Sequence, residues 1–261
     1  KFLLASWCPT DGHADPYRSV KGFKKAAERL GVKFRTNTTV NRIDTYTTNG
    51  CRRFTAIQTA NGPIAAGKAM LATGVQTNLL LRKLGVCIPM TTPLVSALQT
   101  IPVKTSLGPV IGVANGDLAV RQQIDGRVRF TGGAEQLKAH LDLSGENPAV
   151  HPPAASIAQV ISSVSLILPF VSQTPICRIW GGLLDLTPDA LPVLDSVPNV
   201  DGLYVAAGFS GHGFGIAPAV GEMMGNKILG KKMSISLDAF SFNRFDNQLE
   251  ALKTSLPSLH G

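Results

Sequence analysis

The chain has 261 residues, enough for one large domain or two ordinary ones and for a core that needs no disulfide staples. With 44% hydrophobic residues, 16% charged, 26 Gly and 17 Pro, it is too apolar and too evenly mixed to be disordered. The net charge of +8 favours anionic ligands, but the basic residues are scattered, as in Lys21, Lys24, Lys25, Arg29, Lys33 and Arg35, and aromatics make up only 6%, so a nucleic-acid surface is not expected.

The first helix is predicted over 16–31, where Val20, Phe23, Ala26, Ala27 and Leu30 fall at helical spacing after Asp15 and Gly31 supplies the stop. A β-prone run over 38–45 follows, and helix passing to strand within a few residues is an α/β signature. Strands over 53–59 and 64–70 are set off by Asn49-Gly50 and Asn61-Gly62, the two strongest hairpin cues, so a small antiparallel meander is expected. It ends in Ala69-Met70-Leu71-Ala72-Thr73-Gly74, read as a buried strand with small residues at its end that allow close approach by a ligand. A second, mainly antiparallel sheet is predicted from strands over 94–100, 110–113, 118–124 and 128–132, the last two joined by Asp125-Gly126. After a Pro-rich break over 147–153, a helix over 152–170 covers one face of that sheet.

The four cysteines, Cys8, Cys51, Cys87 and Cys177, show neither CxxC nor Cys/His ligand spacing and are expected as buried free thiols. The five histidines form no HxxxH or HExxH, so no metal is implied. The apolar window over 157–171 is broken by Gln159, Ser162, Ser163, Ser165 and Pro169 and falls short of a bilayer span. Residues 1–7 are too quickly ended by Pro9 for a signal peptide, the chain opens without Met as if within a longer one, and a cytoplasmic location is expected.

The most informative stretch runs from Gly202 through Val205, Gly208, Phe209, Ser210, Gly211, His212, Gly213, Phe214 and Gly215 into a helical run over 216–229. It reads as a buried strand, a glycine-dense turn and a helix whose first amides point out of the turn and favour negative charge.

Together with Trp180-Gly181-Gly182-Leu183-Leu184-Asp185-Leu186-Thr187-Pro188-Asp189 and Pro192, this stretch resembles the carboxy-terminal signature of the FAD-dependent D-amino acid oxidase superfamily. The resemblance is nearest to its sarcosine oxidase beta subunit, glycine oxidase, D-amino acid dehydrogenase and hydrogen cyanide synthase branch. Asp15-Pro16, Val40, Ala72-Thr73-Gly74 and Asp125-Gly126-Arg127 sit in the order this family uses.

The resemblance implies oxidation of an amine or amino acid by hydride transfer to flavin N5, giving an imine. It places the turn from Gly208 to Gly215, and Ile216 after it, against the flavin. The following helix then aims its amides at the pyrimidine end, where negative charge gathers on reduction. Val40 would meet the adenine end, Ala72, Thr73 and Gly74 would pass close to the dinucleotide, and Phe209, Phe214 and Ile216 would form dry walls. Gly182 stands where some members carry a covalent flavin cysteine, and Gly215 where they carry a lysine, so noncovalent FAD is expected. Leu184 replaces the arginine that glycine oxidases use for the substrate carboxylate; Arg121 is the substitute candidate, set against a surface or structural salt bridge. His212 is a candidate general base, set against a role fixing the turn by hydrogen bonding. Asp185 and Asp189 could be acid/base carboxylates, but Thr187-Pro188-Asp189 looks like a turn capping local amides, and Trp180 is read as packing rather than substrate stacking.

The fold expected is α/β. An FAD-binding, Rossmann-like part over 12–82 and 175–246 is interleaved with a mainly antiparallel substrate domain over 83–174, with a tail over 247–261. No GxGxxG follows a strand near residue 1, so the N-terminal βαβ segment that holds the pyrophosphate is expected from a missing segment or a partner chain. The competing reading is a noncatalytic or partial subunit that needs that partner to bind FAD.

Overall fold

The computed structural model describes residues 4–113, 116–136 and 150–245. The predicted break over 147–153 and the tail over 247–261 therefore lie partly or wholly outside the described residues. Helix α1 (Pro16–Arg29) is followed by strands β1 (Val40–Thr48), β2 (Cys51–Thr59), β3 (Gly62–Ala65) and β4 (Ala69–Leu71) and the short helix α2 (Thr77–Leu81). Next come β5 (Leu94–Pro102), β6 (Ile111–Gly112), β7 (Leu118–Gln122), β8 (Arg127–Glu135), helix α3 (Ala154–Ile167) and β9 (Ile176–Leu183). The last elements are β10 (Val193–Ser196), β11 (Val200–Asp201), β12 (Leu203–Ala207) and helix α4 (Gly213–Leu229).

These elements fall into two compact units, each drawn from three stretches of chain: Lys1–Phe34, Val95–Gly133 and His151–Gly181 form the first, and Arg35–Leu94, Ala134–Val150 and Gly182–Gly261 the second. The architecture is α/β with mainly antiparallel sheets, as the sequence implies.

In the first unit, five strands run in the order β6-β7-β8-β5-β9. Alternation along β7 and β8 sends Leu118, Val120, Val128 and Phe130 to one face, where they meet Val160 and Val164 of α3 and Leu98 of β5 in a buried cluster. Gly132 is required at this seam, since a Cβ there would lie 2.5 Å from Val160 Cγ2. The Asp125-Gly126 turn joins β7 to β8, with Gly126 at φ 83°. Helix α1 is capped by Asp15, whose carboxylate accepts the Arg18 N–H at 2.8 Å, and Pro16 occupies its first turn. None of its residues is buried, so the stripe of Val20 and Phe23 that the periodicity marks as a core face is exposed in this chain.

In the second unit, β1 and β2 form the expected hairpin across Asn49-Gly50, both residues at positive φ as a type I′ turn demands. The predicted strand over 64–70 divides in two. β3 pairs antiparallel with β2, whereas β4 pairs parallel with β12 in a separate sheet of order β10-β12-β4. With a single neighbouring strand, β4 is not the buried strand expected: Met70 is 40% exposed and Ala72 and Thr73 are exposed. The β10-β12-β4 sheet is covered on both faces. Leu203, Val205 and Ala207 of β12 join one core with Phe54, Leu71, Leu81 and Val193, while Ala206 and Leu194 pack on Val220 and Met224 of α4.

All four cysteines are exposed, which corrects the expectation of buried thiols. Cys51 opens a strand beside the hairpin turn, where the chain reverses in solvent, and Cys177 lies in the exposed first half of β9 with its thiol donating to the Thr100 carbonyl at 3.1 Å. Among the described residues no helix is long and apolar enough to cross a membrane, and no group of three or more His, Cys, Asp or Glu could hold a metal.

Candidate functional site

β4 and β12 run parallel in the register Leu203↔Ala69, Tyr204↔Met70, Val205↔Leu71, so their carboxyl ends emerge side by side. From β4 the chain continues as Ala72-Thr73-Gly74, and from β12 as the glycine turn. The structure thus brings together at one sheet edge two segments that lie more than a hundred residues apart. In open α/β sheets this carboxyl edge is where ligands bind.

The turn is held in shape from outside. Gly208 sits at φ 74°, Ser210 at φ 52° and Gly211 at φ 87°, a run of left-handed backbone that a non-glycine such as Ser210 enters only at a cost. Asp185 offsets that cost. Its carboxylate accepts the Gly208 N–H at 2.7 Å, and its carbonyl accepts the Ser210 N–H at 3.1 Å. Ser210 is fully buried; its hydroxyl accepts the Thr187 N–H at 3.2 Å and lies 3.2 Å from the Thr187 hydroxyl, which donates to the Leu191 carbonyl. Asp185 is therefore a strut of the turn. Sequence reasoning missed this role because 23 residues separate it from Gly208.

Helix α4 begins at Gly213, three residues before the predicted run over 216–229, with Pro218 inside it. His212 occupies the N-cap without a side-chain capping bond, and its N–H donates to the Phe209 carbonyl. The first amides of α4 therefore point toward the turn and carry the positive end of the helix dipole. A Cβ at Gly213 would meet the Phe209 ring at 3.0 Å, so this glycine serves packing. At Gly215, Gly74 and Gly182 nothing lies within 4 Å of a built Cβ, and at Gly211 only Leu184 comes that near, at 3.9 Å. Phe214 and Ile216, on the first turns of α4, are exposed.

The other candidates are placed less centrally. Val40 starts β1 opposite Thr59 and packs on the core of the second unit. Gly182 lies near the end of β9, three residues before Asp185. Arg121 belongs to the first unit, on β7 across from Arg129 of β8. Among the described residues it forms no ion pair.

Two carboxylates below the turn are structural. Asp189 caps the Leu191 amide at 3.1 Å, as the turn reading implies, and holds Arg244 through two bonds of 2.7 and 3.1 Å. Asp195 of β10 accepts from Lys227 of α4 at 2.8 Å and from the Phe242 and Ser196 amides. Burial pushes both carboxyls up, but these donors outweigh it and hold both below the ordinary carboxylate value. A carboxyl with a depressed folded pKa stabilises the fold above its unfolded pKa and loses that contribution as pH falls through the folded value. Stability should therefore drop as pH falls below about 4. Asp195→Asn should lower stability at neutral pH and shallow this acid limb, as read by urea unfolding across pH.

The sequence model of the DAO family, described as FAD dependent oxidoreductase, matches residues 1–227. The chain belongs to this family. It is 26% identical over 243 residues to the sarcosine oxidase subunit beta of Rhizobium meliloti (strain 1021), covering 92% of this chain and 55% of that protein. It is 24% identical over 245 residues to a D-amino acid dehydrogenase of Paramagnetospirillum magneticum, covering 93% of this chain and 54% of the relative. Among solved structures, L-proline dehydrogenase from P. horikoshii superposes with a TM-score of 0.80 at 28% identity, over 92% of this chain and 62% of that one. Glycine oxidase from Geobacillus kaustophilus shares the fold at a TM-score of 0.71 and 19% identity, over 84% of this chain and 55% of its own. The chain thus spans about half the length of the curated relatives it matches.

The family uses FAD, and the residues at this sheet edge are compatible in chemistry with such a group. Glycines without a Cβ line open space at Gly74, Gly182 and Gly215, a helix start points its amides toward the turn, and exposed apolar side chains flank it.

Proposed function

We propose that the protein built on this chain oxidises an amine or amino acid, with FAD held noncovalently against the turn from Gly208 to Ile216. What carries the reading is the meeting of Ala72-Thr73-Gly74 and the glycine turn at the carboxyl ends of two adjacent parallel strands. When bound, FAD supplies the electron sink, taking a hydride at N5 from the carbon next to the substrate nitrogen and leaving an imine that water hydrolyses.

The chain's own residues bind, orient and exclude water. The α4 amides hold negative charge near the pyrimidine end, and because Asp185 and Ser210 fix the turn beforehand, little reorganisation is needed when that charge arrives. Phe209, Phe214 and Ile216 wall off water, Val40 meets the adenine end through its backbone, and Ala72, Thr73, Gly74, Gly211 and Gly213 let the cofactor come close. Gly182 and Gly215 offer no nucleophile, so the flavin should leave with denaturant. His212 fixes the helix start. Sarcosine, D-amino acids and L-proline, named in the relatives, are all amines or amino acids, which supports the substrate class.

A second reading, in which a partner chain or further segment completes the FAD site, is favoured by the exposed apolar side chains Val20, Phe23 and Phe214. One experiment separates the two. Purified protein mixed with FAD should show a bound flavin spectrum that bleaches anaerobically with sarcosine, glycine, a D-amino acid or L-proline. Protein that stays colourless until a partner or longer chain is added favours the second reading, and protein colourless under both conditions overturns the function.

A further inference from the structure

The sheet of the first unit has one face against α3. Because Leu118, Val120, Val128 and Phe130 all point there, Arg121 and Arg129 point to the other face, directly across from one another in register. Like charges placed opposite each other on a sheet are destabilising unless something else compensates them. A third cation joins them: the guanidinium carbons of Arg129 and Arg178 lie 5.1 and 5.6 Å from the centre of the Trp180 ring. Among the described residues none of the three arginines forms an ion pair, whereas the neighbouring Arg127 has Asp125 at 3.6 Å. Arg129 Nε is buried without a hydrogen-bond partner. Burial, with Arg121 and Arg178 nearby, weakens Arg129's hold on its proton, and only Asp15 and Asp125 act in the other direction. Three planar forks, one with an unsatisfied buried donor, beside an indole that keeps two of them oriented, match planar carboxylates better than a point cation would.

We propose that this face binds a small dicarboxylate. The anion site stands on the arginines alone. Trp180 then positions the two guanidinium groups rather than merely filling the core.

Isothermal titration of the FAD-loaded protein with succinate, acetate and inorganic phosphate tests the site. Succinate should bind at least about tenfold more tightly than acetate or phosphate. Arg178→Gln, at an exposed position, and Arg129→Lys, which keeps the charge but loses the fork, should each weaken succinate by about 10- to 100-fold at unchanged melting temperature and flavin content. Succinate binding no tighter than acetate, phosphate binding tightest, or variants that bind like the parent would each overturn the proposal.

Discussion

Gly208→Ala is expected to cost about 2–5 kcal/mol of stability and to abolish flavin retention. Two separate penalties add. A Cβ on backbone at φ 74° enters the left-handed region, at about 1–2 kcal/mol. The same Cβ would lie 2.4 Å from Thr187 Cγ2, on a fully buried side chain that cannot swing aside while its hydroxyl holds the Leu191 carbonyl, adding about 1–3 kcal/mol of overpacking. Gly211→Ala isolates the first penalty, because its φ is 87° but only Leu184, at 3.9 Å, is near. Thr187→Ser in the Gly208→Ala background should recover the packing share and not the backbone share. Urea unfolding of the four proteins measures this, and equal losses at Gly208 and Gly211 would show that the Thr187 contact has no energetic weight.

Gly215→Glu should act in opposite senses on fold and cofactor. Nothing lies within 4 Å of a Cβ at this third position of α4, and a carboxylate in the first turn of a helix is favourable by about 0.3–1 kcal/mol, so melting temperature should hold or rise slightly. Flavin affinity should nevertheless fall at least about tenfold, since the carboxylate competes for the positive helix end that the ring requires. Whatever flavin remains bound should also be harder to reduce. An added negative charge near the ring costs the reduced state about 1–4 kcal/mol, which corresponds to about 20–90 mV for a two-electron couple. Spectroelectrochemical titration gives the potential, with Gly215→Ala as the neutral control. A potential unchanged in Gly215→Glu would place the flavin elsewhere.

How much of this was legible beforehand follows from the range of the interactions. The hairpin at Asn49-Gly50 and the cap of α1 by Asp15 are local, decided by backbone preference and one nearby oxygen, and both stand where the sequence puts them. The division of 64–70 was not legible, because β3 and β4 choose different partners and the partner of β4 lies far along the chain. Here Ala69 N–H donates to the Gly202 carbonyl at 2.9 Å and Lys68 donates to the Ile228 carbonyl at the end of α4, so distant groups fix the change of sheet. The glycine turn could be recognised from its own residues, but its supports could not. Asp185 looked like one of two possible catalytic carboxylates until its bond to Gly208 was seen. For Trp180 the sequence offers packing over substrate stacking and gives no sign of Arg129, because that approach depends on β5 lying between β8 and β9. The lack of ligand spacing points to buried thiols, but burial is set by the packing of each segment, and Cys51 and Cys177 on strands, like Cys8 and Cys87 in irregular chain, are exposed.

The uncovered stripe on α1 has a practical corollary when combined with the net charge of +8. In dilute buffer, mutual repulsion keeps such polypeptides dispersed despite their oily surface. At physiological ionic strength the screening distance shrinks to about 8 Å, and greasy flanks such as Val20 and Phe23 can then adhere between molecules. The colloidal behaviour of this polypeptide is thus governed by salt, and low-salt purification or a mild detergent suits it better than the saline buffers in common use.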